Sequence, residues 1–241
     1  MSTVITASET ISRPQPTVIH AKPTTLLDRI GMASGLAFVA LFMYVGFLTP
    51  GPPADFTNET LAAFYKQNVA NHLVGTHLAS VAFLLFFIFS TTLHNLVRQQ
   101  VKSNNWLPGV LLGSALMTTV IFIMGQASLA ATSLMASRDV NADLVRGLDE
   151  ISHITTHFFT APLSLFLITT GVCIWLYRIM PRWIAVLNLI AGLTLVVTTG
   201  TFDHRELLHK IGVLALLVFL LSTLIMSIAL LWKSRKANKS L

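Results

Sequence analysis

Charge is scarce in this chain. Only 11% of its 241 residues are charged, while 54% are hydrophobic. A soluble domain carries roughly 25% charged residues, so the solvated surface of a soluble globule is missing. Cysteine is scarcer still. Cys173 stands alone inside an apolar run, which excludes an intrachain disulfide and a Cys-rich metal site and leaves it the role of a small buried apolar residue. No basic region is followed directly by an apolar core at the start of the chain, so a cleaved signal peptide is not expected. The first apolar run is expected to act as an uncleaved anchor. No Asp, Glu, Lys or Arg falls in the middle of a long apolar run. Ion-coupled transporters ordinarily carry such residues or paired broken helices, which makes small-molecule transport the weakest functional class. The net charge of +6 comes without an aromatic-interleaved basic patch, so no nucleic-acid partner is expected.

What is present is a series of long apolar runs. A membrane helix needs ~20 mostly apolar residues to cross ~30 Å of hydrocarbon. Six segments qualify: about Ile30–Leu48, His72–Leu96, Leu107–Leu134, Ser152–Tyr177, Trp183–Thr199 and Leu207–Trp232. The expected fold is all-α: a polytopic membrane protein with six transmembrane helices in one bundle. Residues 29–232 form the membrane domain, 1–28 a flexible Ser/Thr/Pro-rich cytoplasmic tail and 233–241 a basic cytoplasmic tail. Pro162 is expected to kink the fourth span.

Lys and Arg set the orientation. Eleven of the sixteen fall in the two tails and in the second-to-third and fourth-to-fifth connections, among them Arg29, Arg98, Arg178, Arg182, Lys233 and Arg235. Both termini are therefore placed on the cytoplasmic side. Trp106, Trp175, Trp183 and Trp232 fall near the same inner boundary, where indole rings favour the head-group level. The outer side holds eight of the ten acidic residues. In its first connection Thr57 or Asn58 can cap a short helix. Leu61, Phe64 and Tyr65 would form the apolar face by which that helix lies on the membrane surface.

Histidine is the one chemically suggestive residue type. Six of the eight histidines sit at the outer end, in pairs: His72 and His77, His153 and His157, His204 and His209. Glu150, His153 and His157 stand at i, i+3 and i+7, one face of a helix. Asp203, Glu206 and His209 stand at i, i+3 and i+6. Both stretches contain Glu-x-x-His, the spacing with which a helix in di-iron and di-manganese bundles supplies a carboxylate and an imidazole to one metal pair. Imidazole with carboxylate suits Zn, Fe, Mn or Cu. The candidate ligands rank as His153, His157, Glu206 and His209, then Glu150, His72 and His77. Haem is a separate possibility, with His77 and His157 the best axial pair. The competing explanation is that polar groups simply belong at helix ends and that acidic residues suit helix N-termini. His94 reads as a helix-end residue, and His20 lies in the tail.

The segments Gly35-Leu36-Ala37-Phe38-Val39-Ala40, Ala79-Ser80-Val81-Ala82-Phe83-Leu84-Leu85-Phe86-Phe87 and Met180-Pro181-Arg182-Trp183-Ile184 resemble a broad group of uncharacterised six-span bacterial membrane proteins that share a domain of unknown function. The resemblance covers most of residues 30 to 232. It implies a six-helix bundle in a bacterial inner membrane and assigns no activity or site residue. The leading functional reading is a non-enzymatic integral membrane protein, an accessory subunit whose partners are the lipid bilayer and other membrane subunits. The alternative is a metal- or haem-binding protein, an oxidoreductase class, using the outer His/Glu cluster.

Overall fold

The computed structural model describes residues 25–52, 55–101, 105–199 and 207–239, with side chains of the last helix described from 210 to 235. Among the described residues there are eight helices and no strand: α1 (Leu26–Leu48), α2 (Asn58–Gln67), α3 (Val69–Gln100), α4 (Leu107–Ser137), α5 (Ala142–Phe158), α6 (Thr160–Tyr177), α7 (Arg182–Thr198) and α8 (Leu207–Lys239). Five stretches are long and apolar enough to cross a membrane: α1, α3, α4, α5 joined to α6, and α8. α7 is apolar but has 17 residues, which at 1.5 Å per residue reaches roughly 26 Å.

The helices close into a ring. α1 packs on α3, α3 on α4, α4 on α6, α6 on α7, α7 on α8, and α8 returns to α1. Short connections join successive members, so neighbours run antiparallel. Phenyl rings fill the middle of the ring. Phe38, Phe83, Phe86, Phe166 and Phe219 are essentially inaccessible. Phe83 stacks on Phe122 with centroids 3.7 Å apart, and Phe38 meets both Phe86 and Phe219. The outside of the ring is apolar as well. Met117, Ile190, Leu193, Val197, Leu214 and Leu221 are all more than half exposed.

Small and hydroxyl residues set the helix separations. A Cβ at Gly171 would stand 2.9 Å from the Ala185 carbonyl oxygen, and one at Gly192 would stand 2.9 Å from that of Ser164. α6 and α7 thus approach backbone to backbone at two points. Gly113 has nothing nearby and faces outward, so a packing role holds for the first two glycines and not for it. Buried hydroxyls bond back to their own helix, as Ser90 does to Phe86 O and Thr118 to Ser114 O. Asn188 reaches between helices and donates to Ser222 Oγ at 2.7 Å. Cys173 is buried.

Two features depart from the sequence expectation. The fourth apolar stretch starts ten residues earlier than its hydropathy indicates, at Ala142, and breaks at Phe159 rather than at the proline. Pro162 has no N–H for the Phe158 carbonyl, three to four residues upstream, so the discontinuity appears one turn before the ring. The short helix α2, capped by Thr57, packs on α4 and α5. Its Leu61 and Tyr65 join Ala136 and Val145 in a small core of their own. Its apolar face therefore covers protein, not the membrane surface.

At the opposite end, Trp106 stands just before α4, Trp175 two residues before the end of α6 and Trp183 in the first turn of α7. Trp106, Trp175, Trp183 and Trp232 are each about half exposed or more. His94 accounts for itself there: its Nδ1 lies 2.7 Å from the Pro108 carbonyl oxygen. That oxygen only accepts, so Nδ1 carries the proton and ties α3 to the start of α4.

Candidate functional site at the outer end

The end of the bundle that carries α2 is polar, and each of its helices is held in place by named contacts. Asn141 caps α5 by accepting from the Asp143 N–H. Asp143 in turn accepts from Asn58 Nδ2 at 2.7 Å. Lys66 pairs with Asp139, an exposed pair. Arg146 bonds Glu150 one turn along α5 and lies over the Phe56 ring. On its other side α5 rests on α4, where Ser152 Oγ donates to Gly125 O and Gly125 leaves room for Thr156.

Tyr65 Oη donates to Asp149 Oδ1 at 2.5 Å. This bond ties α2 to α5 across 84 residues of sequence. Burial, with the hydrogen bond and charge of Asp149 second and third, holds the phenol well above the ordinary tyrosine range. Glu59 sits low for the opposite reason, stabilised by the Thr57 side chain and its own backbone N–H. Next to Tyr65 lies His72, in the first turn of α3. Its ring is 3% exposed and wedged between Phe64 and Tyr65, with centroids 5.7 and 5.1 Å away. Neither ring nitrogen makes a hydrogen bond. A buried imidazole held this way is fixed by aromatic packing.

His153 and His157 form the second cluster. One turn apart on α5, they bring their Nε2 atoms to 3.2 Å. Two imidazolium rings would repel at that distance. The pair therefore either shares one proton, with one Nε2–H donating to the other, or offers two lone pairs to a common Lewis acid. His157 also lines a cavity of about 200 Å³ with Thr156, Thr160 and Thr198, closed on the far side by Gly212, Val213 and Leu216 of α8.

The structure brings together only part of the set singled out from the sequence. His153 and His157 meet. Glu150, on the same helix, is turned to Arg146. His72 is committed to the aromatic pocket on α2, and His77 is exposed on α3 and does not line the cavity of His157. Glu206 and His204 lie outside the described residues, as do His20 and the side chain of His209. Among the described residues, no group of three or more His, Cys, Asp or Glu side chains is placed to hold a metal ion.

Sequence reasoning passed over Tyr65 and Asp149 as partners. The usable signal was a hydroxyl-bearing aromatic on an otherwise apolar face, since a buried phenol needs a bonding partner. Compared with known protein families, curated proteins and solved structures, the chain matches none. The functional reading rests on the residues themselves.

Proposed function

We propose that this chain is a six-span integral membrane protein of a bacterial inner membrane, with both termini in the cytoplasm, serving as a non-enzymatic subunit of a larger membrane assembly. The observation that carries the reading is the doubly apolar bundle. Its core is filled by phenyl rings and its perimeter exposes large aliphatic side chains on every long helix, a surface that water does not tolerate at this extent. Among the described residues, charged side chains are confined to the two ends. α7, with its 17 residues, spans by local thinning of the bilayer. The test is native mass spectrometry of the chain extracted directly from its membrane. A second membrane protein held in fixed stoichiometry is expected. The chain recovered only at its own 26.4 kDa would overturn the subunit reading and leave the membrane reading intact.

A second reading, an outer-face metal or haem protein, is favoured by one observation, the His153–His157 pair. With metal–nitrogen bonds of 2.0–2.1 Å, two ligands of a tetrahedral ion stand about 3.3 Å apart, close to the 3.2 Å between these nitrogens. The remaining ligands on this reading would be Glu206 and His209. On this reading the purified protein carries Zn, Fe, Mn, Cu or haem. Replacing His153 and His157 together with Ala then abolishes the bound ion, and acidification releases it, because a protonated imidazole cannot ligate. Elemental analysis with an optical spectrum decides the matter, and a metal-free wild type contradicts it.

A further inference from the structure

The inner end of the bundle carries a groove between α1 and α8 that the outer site does not use. At its mouth Arg29 and Arg235 stand on opposite walls of a cavity of about 380 Å³, together with Ile30, Ala33, Leu231 and Ser234. The groove continues along the same two helices as a trough of about 600 Å³ lined by Leu36, Ile225, Ile228, Ala229 and Trp232, and the two cavities share Leu231 and Arg235. One end is therefore cationic and the rest apolar.

The cationic end is unneutralised among the described residues. Neither Arg29 nor Arg235 forms an ion pair there. Arg29 Nε is buried and makes no hydrogen bond. The neighbouring carboxylate, Asp28, is already occupied by the Thr25 cap, accepting from its N–H and hydroxyl at 2.9 Å each. Trp232 stands beside the mouth, 62% exposed, at the level that indoles take in a head-group region. A guanidinium presents a planar fork of donors matched to phosphate oxygens. Basic pockets between helices at a cytoplasmic face suit anionic head groups.

We propose that the α1/α8 groove binds one anionic phospholipid, with its phosphate between Arg29 and Arg235 and an acyl chain laid in the trough toward Leu36 and Ile225. Charge complementarity at the mouth and apolar lining beyond it fix the occupant as a lipid, with a phosphodiester at one end. The site does not depend on the outer histidines.

The test is native mass spectrometry of the full chain in detergent, incubated with equal amounts of phosphatidylglycerol and phosphatidylcholine of the same acyl composition. The wild type is expected to retain phosphatidylglycerol by about tenfold or more, as attraction to two arginines implies. The double variant Arg29→Ala with Arg235→Ala loses the preference, and the control pair Arg98→Ala with Arg182→Ala, at other inner helix ends, keeps it. Equal retention of the two lipids by the wild type overturns the proposal and requires no variant to fold. So does a preference that survives in the groove variant, or falls equally in the control. A final arm adds excess inorganic phosphate. Persistence of the bound lipid is expected, whereas its displacement would assign the arginines to a soluble anion and overturn the lipid assignment.

Discussion

Tyr65 and Asp149 link α2 to α5 through a single charge-assisted hydrogen bond in a half-buried setting. Bonds to charged groups contribute about 1.5–3 kcal/mol, more than neutral ones. Tyr65→Phe keeps the ring against His72 and Leu61 and removes only the donor. Its expected effect is local: amide exchange across Asn58–Gln67 accelerates by about tenfold or more, while α3 and α4 keep their protection. The same bond makes the docking of α2 sensitive to alkali. The phenol's ionisation is pushed up in the docked state by burial and by Asp149, so the neutral form is favoured there. The resulting stabilisation is complete below the ordinary tyrosine value of about 10 and is lost as pH rises above it. Exchange protection of α2 in the wild type should therefore fall above about pH 10. The informative quantity is the difference from Tyr65→Phe, which lacks the tyrosine step. Equal alkaline loss in both proteins would show that Tyr65 is not its source. The His153–His157 contact belongs to this scale too, and it was legible in advance because i, i+4 spacing alone puts two side chains on one face. The partner of Tyr65 was not, since 84 residues of sequence separate it from Asp149.

At the scale of the helices, the apolar runs announced most of what forms. Five of the six expected spans fall inside α1, α3, α4, the joined α5 and α6, and α8, because hydrocarbon thickness fixes a minimum length; the fifth, Trp183–Thr199, corresponds to the shorter α7. Their ends were less legible. α5 starts at Ala142 because its first turns are amphipathic and pack on α4 and α2, a tertiary cause that hydropathy does not carry. For the same reason the apolar face of α2 was visible in the sequence while its cover was not: Leu61 and Tyr65 require burial, and either a bilayer or a protein can supply it. The α6/α7 contact allows a sharper test. Gly171→Leu forces a Cβ against Ala185 O and Leu189. Overpacking of this kind costs about 1–3 kcal/mol, read as a lower midpoint of thermal unfolding in detergent. Gly113→Ala meets nothing and replaces a poor helix former with a good one, so its midpoint is expected to stay level or rise. An unchanged Gly171→Leu protein would mean that the two helices do not approach at that point.

For the whole molecule, the central claim is a six-helix ring placed across a membrane with both ends inside. The ring itself follows from helix packing. Its placement rests on the distribution of arginine and lysine and on that of the four tryptophans. The most direct measurement is cysteine accessibility in intact cells, in a Cys173→Ala background so that only introduced thiols respond. Three positions decide it: Gly51, exposed with room for a side chain, Asn104 in the connection before α4, and Ser240 at the C-terminus. With six spans and cytoplasmic termini, an impermeant maleimide labels Gly51→Cys and leaves Asn104→Cys and Ser240→Cys unlabelled until the cells are permeabilised. Labelling of Asn104→Cys and Ser240→Cys with Gly51→Cys shielded would reverse the orientation, and labelling of Gly51→Cys and Ser240→Cys together would show that α7 does not cross.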